Sequence, residues 1–124
     1  MSGLGTSADG MSVEQKFLEV ISRNLANAEV TRTPEGGPYR REVAEVGVDP
    51  TTGQASLQVR KDTGPGRIVY DPSHPDANAQ GFVEYPNVDV NTELVDLMIA
   101  RRVHEANVSV FQAAKSMLRR ALDI

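Results

Sequence analysis

Proline and glycine are concentrated in the middle of this chain. All seven prolines and seven of the ten glycines lie between residues 34 and 86, and neither residue occurs from 11 to 33 or from 87 to 124. Proline breaks helices and glycine weakens them, so the pattern predicts two terminal helices around a turn-rich centre. We therefore expect a terminal helical domain of residues 1–30 and 87–124, with residues 31–86 as an insertion that carries short β-strands.

The first helix is predicted over residues 11–28. Apolar residues recur there in steps of three and four, which places them on one stripe of a helix. The stripe consists of Val13, Phe17, Val20, Ile21, Leu25 and Ala28. Asn24 and Asn27 lie in the last turn, where an amide side chain can cap free carbonyl groups.

The second helix is predicted over residues 89–122, which gives a length of about 50 Å. Its apolar arc covers about half the circumference, more than one partner helix conceals. The residues expected to pack or to form a subunit interface are Leu94, Leu97, Ala100, His104, Asn107, Val108, Phe111, Ala114, Leu118 and Leu122. Val103, Val110 and Met117 lie beyond this set around the helix.

Between the helices, alternating residues predict short strands. Ala55, Leu57 and Val59 alternate with polar residues, which suits a half-buried strand, and residues 43–48 form a less regular partner strand. Residues 49–53 are typical of a hairpin loop, and residues 68–70 are a candidate third strand. The expected fold is therefore mainly α with a small β region. The antiparallel terminal helices form a helical hairpin or coiled coil, and the middle carries a β-hairpin or a three-stranded sheet.

The second helix has more apolar surface than the shorter first helix can cover. A monomer exposes such a strip when the strip is an interaction site, which favours helical self-association. The alternative is that the small sheet folds back over the strip. Three polar residues interrupt the face, and we expect them to reach its rim or to pair with a carboxylate such as Glu105. They are Arg101, His104 and Lys115.

Two groups of polar residues are candidates for chemistry. Asp71, His74 and Asp76 have the side chains of a general base or a metal site, but the prolines at 72 and 75 favour a rigid turn. The acidic residues at the start of the second helix are explained by the helix dipole. Cysteine is absent, and neither a phosphate-binding loop nor a Gly-x-Ser-x-Gly motif occurs. The sequence therefore predicts no enzyme, no metal and no cofactor.

Charge and hydropathy exclude further classes of protein. The net charge of −4 disfavours nucleic-acid binding. No apolar run is long enough to cross a membrane, and the first residues lack the pattern of a cleavable secretory signal. The remaining non-enzymatic functions are self-assembly and a helical adaptor or chaperone-like module that binds a different partner.

One motif near the end of the first helix resembles a family signature. Asn24, Leu25, Ala26 and Asn27 match the Asn-aliphatic-Ala-Asn signature of bacterial flagellar rod and hook axial proteins. Further segments are similar to a proximal rod member of that family, in the family's order. These segments are residues 31–41, 69–77, 81–88, 105–108 and 113–117.

This resemblance implies a structural subunit of the flagellar basal-body rod. In the family, the terminal helices pack together and against neighbouring subunits to form an inner tubular layer, and the middle segment projects outward or bridges subunits. The implied partners are other copies of the chain, other rod proteins, the base adaptor protein and the flagellar type III export apparatus. The implied location is the periplasm-spanning rod, reached without cleavage of a signal peptide.

Overall fold

The computed structural model describes residues 2–123, with side chains from Gly10 to Asp123. The first helix, α1, spans Ser2–Ala26, so it begins well before the predicted start at residue 11 and ends two residues before the predicted end. Glycine lowers helix propensity, but tertiary packing overrides propensity, and a longer helix lies alongside α1. At the other end, the backbone N–H and the side-chain amide of Asn27 both donate to the carbonyl of Arg23, at 3.0 and 2.8 Å, and a turn follows.

The second helix, α2, spans Val90–Leu122, in agreement with the prediction. Asp89 is its N-cap, and its carboxylate accepts a hydrogen bond from the Thr92 N–H at 3.2 Å. This bond satisfies one of the amide groups that the first turn leaves free. Glu93 lies in the first turn, and Arg119 and Arg120 lie in the last. The charges at both ends therefore interact favourably with the helix dipole.

The two helices form an antiparallel hairpin. Near the end of α1, Asn24 lies beside Glu93 at the start of α2, whereas Glu14 contacts His104 and Asn107 farther along α2. As residue numbers fall along α1, their partners in α2 rise. The predicted helical hairpin is confirmed.

A β-hairpin follows the first helix. β1, Glu42–Val48, pairs antiparallel with β2, Ala55–Lys61, and Val46 lies opposite Leu57. In the loop, the carboxylate of Asp49 accepts hydrogen bonds from the Thr51 and Thr52 amides, and these bonds lower the pKa of Asp49. Gly53 has a φ of 71°, a conformation that glycine adopts without strain. The expected β-hairpin is therefore correct.

The alternative of a three-stranded sheet is wrong. β3, Arg67–Tyr70, pairs instead with an unpredicted strand, β4, Phe82–Tyr85, and the result is two separate two-stranded sheets. The start of β3 requires glycine, because a Cβ on Gly66 would lie 1.9 Å from the Tyr85 carbonyl oxygen. Because Gly66 has no side chain, the segment before β3 can lie directly against the end of β4.

The most buried residues gather where the helical hairpin meets the middle segment. Val20, Ala28 and Val83 are the buried aliphatic residues, and Asn24 and Glu93 are buried beside them. Both β1 and β2 pack on α1, and in the described part of the chain no strand packs on α2. The sheets therefore do not fold back over α2.

Candidate assembly interface

Asn24 joins the first helix to the first strand. Its amide group donates to the carbonyl of Glu42 and accepts from the Glu42 N–H, both at 2.9 Å. This pair of hydrogen bonds is the pattern that a neighbouring strand would supply. A helix side chain therefore fixes the point at which β1 begins.

The remaining hydrogen-bonding capacity of Asn24 is also used. Tyr39 donates its hydroxyl to Asn24 Oδ1 at 2.7 Å, and Asn24 Nδ2 also lies 3.4 Å from Glu93 Oε1. An asparagine side chain has two N–H groups and two acceptor lone pairs, so Asn24 is fully satisfied although it is buried. Burial, aided by the negative charge of Glu42, raises the pKa of Tyr39 to about 12.

Glu93 connects the start of α2 to the same junction. Its side chain is 1% exposed and its Oε1 accepts from Arg41 Nε at 2.5 Å. This hydrogen bond raises the pKa of Arg41. Arg41 is held from its other end as well, because its backbone N–H donates to Asn87 Oδ1 at 2.8 Å. We call Asn24, Tyr39, Arg41, Glu42 and Glu93 the polar junction.

The four signature residues have different environments. Asn24 is buried in the polar junction and Asn27 caps the end of α1, whereas Leu25 is half-buried and Ala26 is exposed. The other members of the polar junction were not predicted as site residues. The helix dipole alone accounts for Glu93 at the level of sequence, and its pairing with Arg41 joins residues 52 apart in sequence, a contact that local patterns do not reveal.

The predicted packing residues lie in three classes of exposure. Val20 is buried, and Leu94 and Leu122 are 45% and 77% exposed. Asn107 is also exposed but donates a hydrogen bond to Glu14. The half-buried members are Val13, Phe17, Leu25, Leu97, Ala100, His104, Val108, Phe111, Ala114 and Leu118.

A second apolar stripe on α2 lies on a different side of the helix from His104. Its members follow one another at alternating spacings of four and three residues, as in the seam of a coiled coil, and lie roughly 130° around the helix from the His104 side. They are Ile99, Val103, Ala106, Val110, Ala113 and Met117, and all are exposed. We call this set the outer seam. Its larger residues are between 49% and 66% exposed, so α2 has an apolar face that no other described element covers.

The polar residues on the inner face of α2 have local partners. His104 Nδ1 lies 3.3 Å from Glu14 Oε2, which links the two helices. The Arg101 guanidinium lies 3.9 Å from the Glu105 carboxylate. The Lys115 ammonium lies 5.7 Å from the centre of the Phe111 ring. The expected pairing with Glu105 is therefore made by Arg101.

The residues considered for catalysis form a turn. His74 Nδ1 accepts from the Asp76 N–H at 3.0 Å, and the Ser73 hydroxyl donates to Asp71. Asp76 accepts from the Thr31 hydroxyl at 2.6 Å and pairs with Arg32 at 2.8 Å, and these contacts lower its pKa. The segment thus ties the insertion to the chain that leaves α1.

The acidic and histidine side chains are not gathered into a metal site. Among the side chains described, from residue 10 to 123, no group of three or more His, Asp or Glu is arranged to hold a metal ion. Neither α1 nor α2, as described, has an apolar stretch that could cross a bilayer.

Two antiparallel terminal helices with an uncovered apolar face, joined by a turn-rich insertion, define the class of mainly helical hairpin proteins. Comparison with known proteins narrows this class to flagellar rod proteins. Residues 79–124 match the family described as "Flagellar basal body rod FlgEFG protein C-terminal".

Three relatives match nearly the whole chain, and each is a flagellar basal-body rod protein FlgC. The Borreliella burgdorferi protein is 35% identical over 99% of this chain and 95% of its own length. The Salmonella typhimurium protein is 37% identical over 95% of this chain and 92% of its own length. The Bacillus subtilis protein is 34% identical over 98% of this chain and 95% of its own length. The chain belongs to the FlgC family of flagellar basal-body rod proteins.

Proposed function

We propose that this chain is a structural subunit of the proximal rod of the flagellar basal body, assembling through its terminal helices into a helical tubular shaft. Its membership of the FlgC family supports the role of a structural rod subunit. The observation that carries the mode of assembly is the outer seam, whose large residues are exposed at coiled-coil spacing.

The polar junction gives the subunit a rigid end. Asn24, Arg41 and Glu93 hold both helices and the first strand at fixed positions. A shaft that transmits torque needs subunits whose elements do not shift under load. Heterologous contacts that do not close into a ring produce an open helical array, and an elongated hairpin with an exposed seam is suited to such contacts.

The proposed partners are other copies of the chain, other flagellar rod proteins and the base adaptor protein. Delivery by the flagellar type III export apparatus without cleavage of a signal peptide, and a location in the periplasm-spanning rod, are part of the same proposal. They are supported by the match to rod proteins over nearly the full chain. The role is non-enzymatic, in line with a turn at residues 71–76 whose polar side chains bond within the turn or to Thr31 and Arg32.

The alternative is a helical adaptor or chaperone-like module with one different partner. It is not favoured, because the relatives that match from end to end are rod proteins. The two functions also predict different fates for the protein in the cell. A rod subunit remains in purified basal bodies, whereas an adaptor is released from its partner before assembly ends.

The test is deletion of the gene in its own bacterium, followed by complementation. We expect deletion to abolish motility and rod assembly, the wild-type gene to restore both, and the protein to be found as rod density in maps of intact basal bodies. Val110→Ser changes the outer seam at a position that is 66% exposed and should fold but fail to complement. Ser109→Ala, at the neighbouring exposed position, is the matched control. Rods that assemble normally without the protein would contradict the proposal.

A further inference from the structure

Asn87 lies between β4 and α2, two residues before the N-cap Asp89. Its side chain bonds to three backbone groups of the insertion. Asn87 Oδ1 accepts from the Arg41 N–H at 2.8 Å, and Asn87 Nδ2 donates to the carbonyls of Asp62 and Gly64 at 3.0 and 3.2 Å. One half-buried amide group therefore contacts the chain both before β1 and after β2.

Two of these contacts replace a hydrogen bond at the base of the β1–β2 hairpin. Arg41 precedes β1 and Asp62 follows β2, and the Asp62 N–H donates to the Arg41 carbonyl at 2.8 Å. Residues paired in this way in an antiparallel ladder exchange a second bond, which here would join the Arg41 N–H to the Asp62 carbonyl. Both of these groups bond to the Asn87 amide instead. The side chain of Asn87 is therefore inserted into the last pair of the hairpin.

The inserted amide connects the hairpin to the start of α2. Val88 alone separates Asn87 from the N-cap of α2. Arg41 reaches the same helix through its side chain, whose Nε donates to the buried carboxylate of Glu93 at 2.5 Å. Separation of the hairpin base from α2 must therefore break the backbone bonds to Asn87 together with the bond to Glu93.

We infer that Asn87 couples the β1–β2 hairpin to α2, so that the hairpin and the first turns of α2 open as one cooperative unit. Segments that share their hydrogen bonds open together, and the coupling between them is a free energy that acts in both directions. Asn87 is a positioning residue, because it acts through the backbone at Arg41 and Asp62. The inference goes beyond the proposed function and concerns the isolated chain, in which strain in the hairpin reaches α2.

Native-state hydrogen exchange of the wild-type chain measures the extent of the cooperative unit. Amide exchange is followed by NMR at several urea concentrations below the unfolding transition. We expect the amides of Arg41 and Val43 at the hairpin base and those of Glu93 and Leu94 in α2 to share one opening free energy and one urea dependence. Opening of the hairpin in a separate step, with a smaller urea dependence, would overturn the inference.

A substitution at the far end of the hairpin tests whether strain is transmitted. Gly53 has a φ of 71°, and a Cβ there would meet no atom within 4 Å, so Gly53→Ala strains the backbone without displacing a neighbour. The site lies about 25 Å from the hairpin base. We expect the protection of the hairpin and of residues 93–95 to fall by the same factor, about fivefold or more. Amides 113–118 open locally and serve as the unchanged reference.

A loss of protection confined to the hairpin would contradict the coupling. The role of Asn87 itself is measured by combining Gly53→Ala with Asn87→Ala. In that background, Gly53→Ala should still weaken the hairpin but change the protection of residues 93–95 by less than about twofold. Asn91→Ala is the matched control, because Asn91 is an exposed asparagine at the start of α2, and transmission should persist there. Equal transmission in the Asn87→Ala and Asn91→Ala backgrounds would overturn the assignment to Asn87.

Asn87→Asp provides a second variant in case Asn87→Ala does not fold. Its carboxylate can accept from the Arg41 N–H but cannot donate to the carbonyls of Asp62 and Gly64. We expect it to lose transmission, and full transmission in this variant would show that the inserted amide is not the coupling group. The urea series on the wild-type chain requires no substitution, so a separate opening of the hairpin refutes the inference whether or not either variant folds.

Discussion

At the scale of single residues, the central feature is an asparagine that makes four hydrogen bonds inside the protein. Asn24 bonds to both the backbone N–H and the backbone carbonyl of Glu42. It also bonds to the Tyr39 hydroxyl and to the Glu93 carboxylate. A buried polar side chain is destabilising unless its groups are satisfied. Because every group of Asn24 has a partner, the residue selects one arrangement of helix, strand and second helix.

Replacing Asn24 should therefore be costly. Asn24→Ala leaves the Tyr39 hydroxyl, the Glu42 N–H and the Glu42 carbonyl without their partner. We expect a loss of about 3 kcal/mol in the free energy of unfolding. The measurement is urea denaturation followed by circular dichroism. Asn27→Ala is the control, because Asn27 makes a single side-chain hydrogen bond near the surface and should lose about 1 kcal/mol. Equal losses for the two variants would contradict the role of Asn24.

The hydroxyl of Tyr39 makes stability depend on alkaline pH. Its pKa is raised to about 12 in the folded chain, compared with about 10 in an unfolded chain. The folded state therefore favours the neutral phenol. The stabilising effect is complete below about pH 10 and is lost as the pH rises towards 12.

We expect Tyr39→Phe to remove this part of the alkaline destabilisation. Urea denaturation at several pH values between about 9 and 12 measures it. Tyr70→Phe is the control, because Tyr70 is 64% exposed and its substitution should leave the pH profile unchanged. Identical profiles for wild type and Tyr39→Phe would show that Tyr39 is not responsible.

Sequence patterns predicted the residues of this junction only in part. Asn24 was identified through the family signature, and Asn27 through its position in the last helical turn. Neither approach identified Arg41 as the partner of Glu93, because the two residues meet only when the insertion has folded between the helices. Acidic residues at the start of a helix are also explained locally by the helix dipole. The sequence therefore provides no reason to look for a distant partner of Glu93.

At the scale of whole elements, α2 has two apolar faces with different partners. The inner face carries Phe111 and His104, half-buried towards α1, and the outer seam carries Val103, Val110 and Met117, exposed. A helix that is apolar on more than one side needs more than one packing partner. Folding of the described residues covers the inner face only, so the outer seam is the face that we propose for assembly.

Adjacent residues on the two faces should respond differently to truncation. Phe111→Ala should lower the free energy of unfolding of the isolated chain by about 2 kcal/mol, less than the 3 to 5 kcal/mol of a fully buried phenylalanine. Val110→Ala should change it by less than about 0.5 kcal/mol but reduce incorporation into rods. Denaturation of the purified chain measures the first effect, and quantification of the protein in basal bodies measures the second. A large stability loss for Val110→Ala would mean that the outer seam is covered within the monomer.

The patterns predicted helices better than strands. The bounds of α2 were correct because its apolar periodicity is long and uninterrupted and Asp89 provides a clear N-cap. β4 was missed because its four residues are too few to establish an alternation. The early start of α1 was missed because Gly3, Gly5 and Gly10 locally disfavour a helix.

At the scale of the whole molecule, burial is concentrated at one end of the helical hairpin. The polar junction, Val20 and Val83 lie there, and Glu93 is the only buried residue among the described positions of α2. Towards Leu122, the helix has half-buried and exposed residues only. The isolated subunit is therefore firm at the junction and weakly held at the far end, where local opening costs less free energy.

Amide hydrogen exchange of the isolated chain should reveal this gradient directly. We expect the slowest exchange in the last turns of α1 and the first turns of α2, beside Asn24 and Glu93, and protection that falls at least about tenfold from Ala100 to Arg119. The physical reason is that opening the far end breaks few buried contacts. Assembly into rods should then protect residues 110–117 most, because this part of the outer seam acquires neighbours. Uniform protection along α2 in the dilute monomer would show that the helix is fully stabilised before assembly.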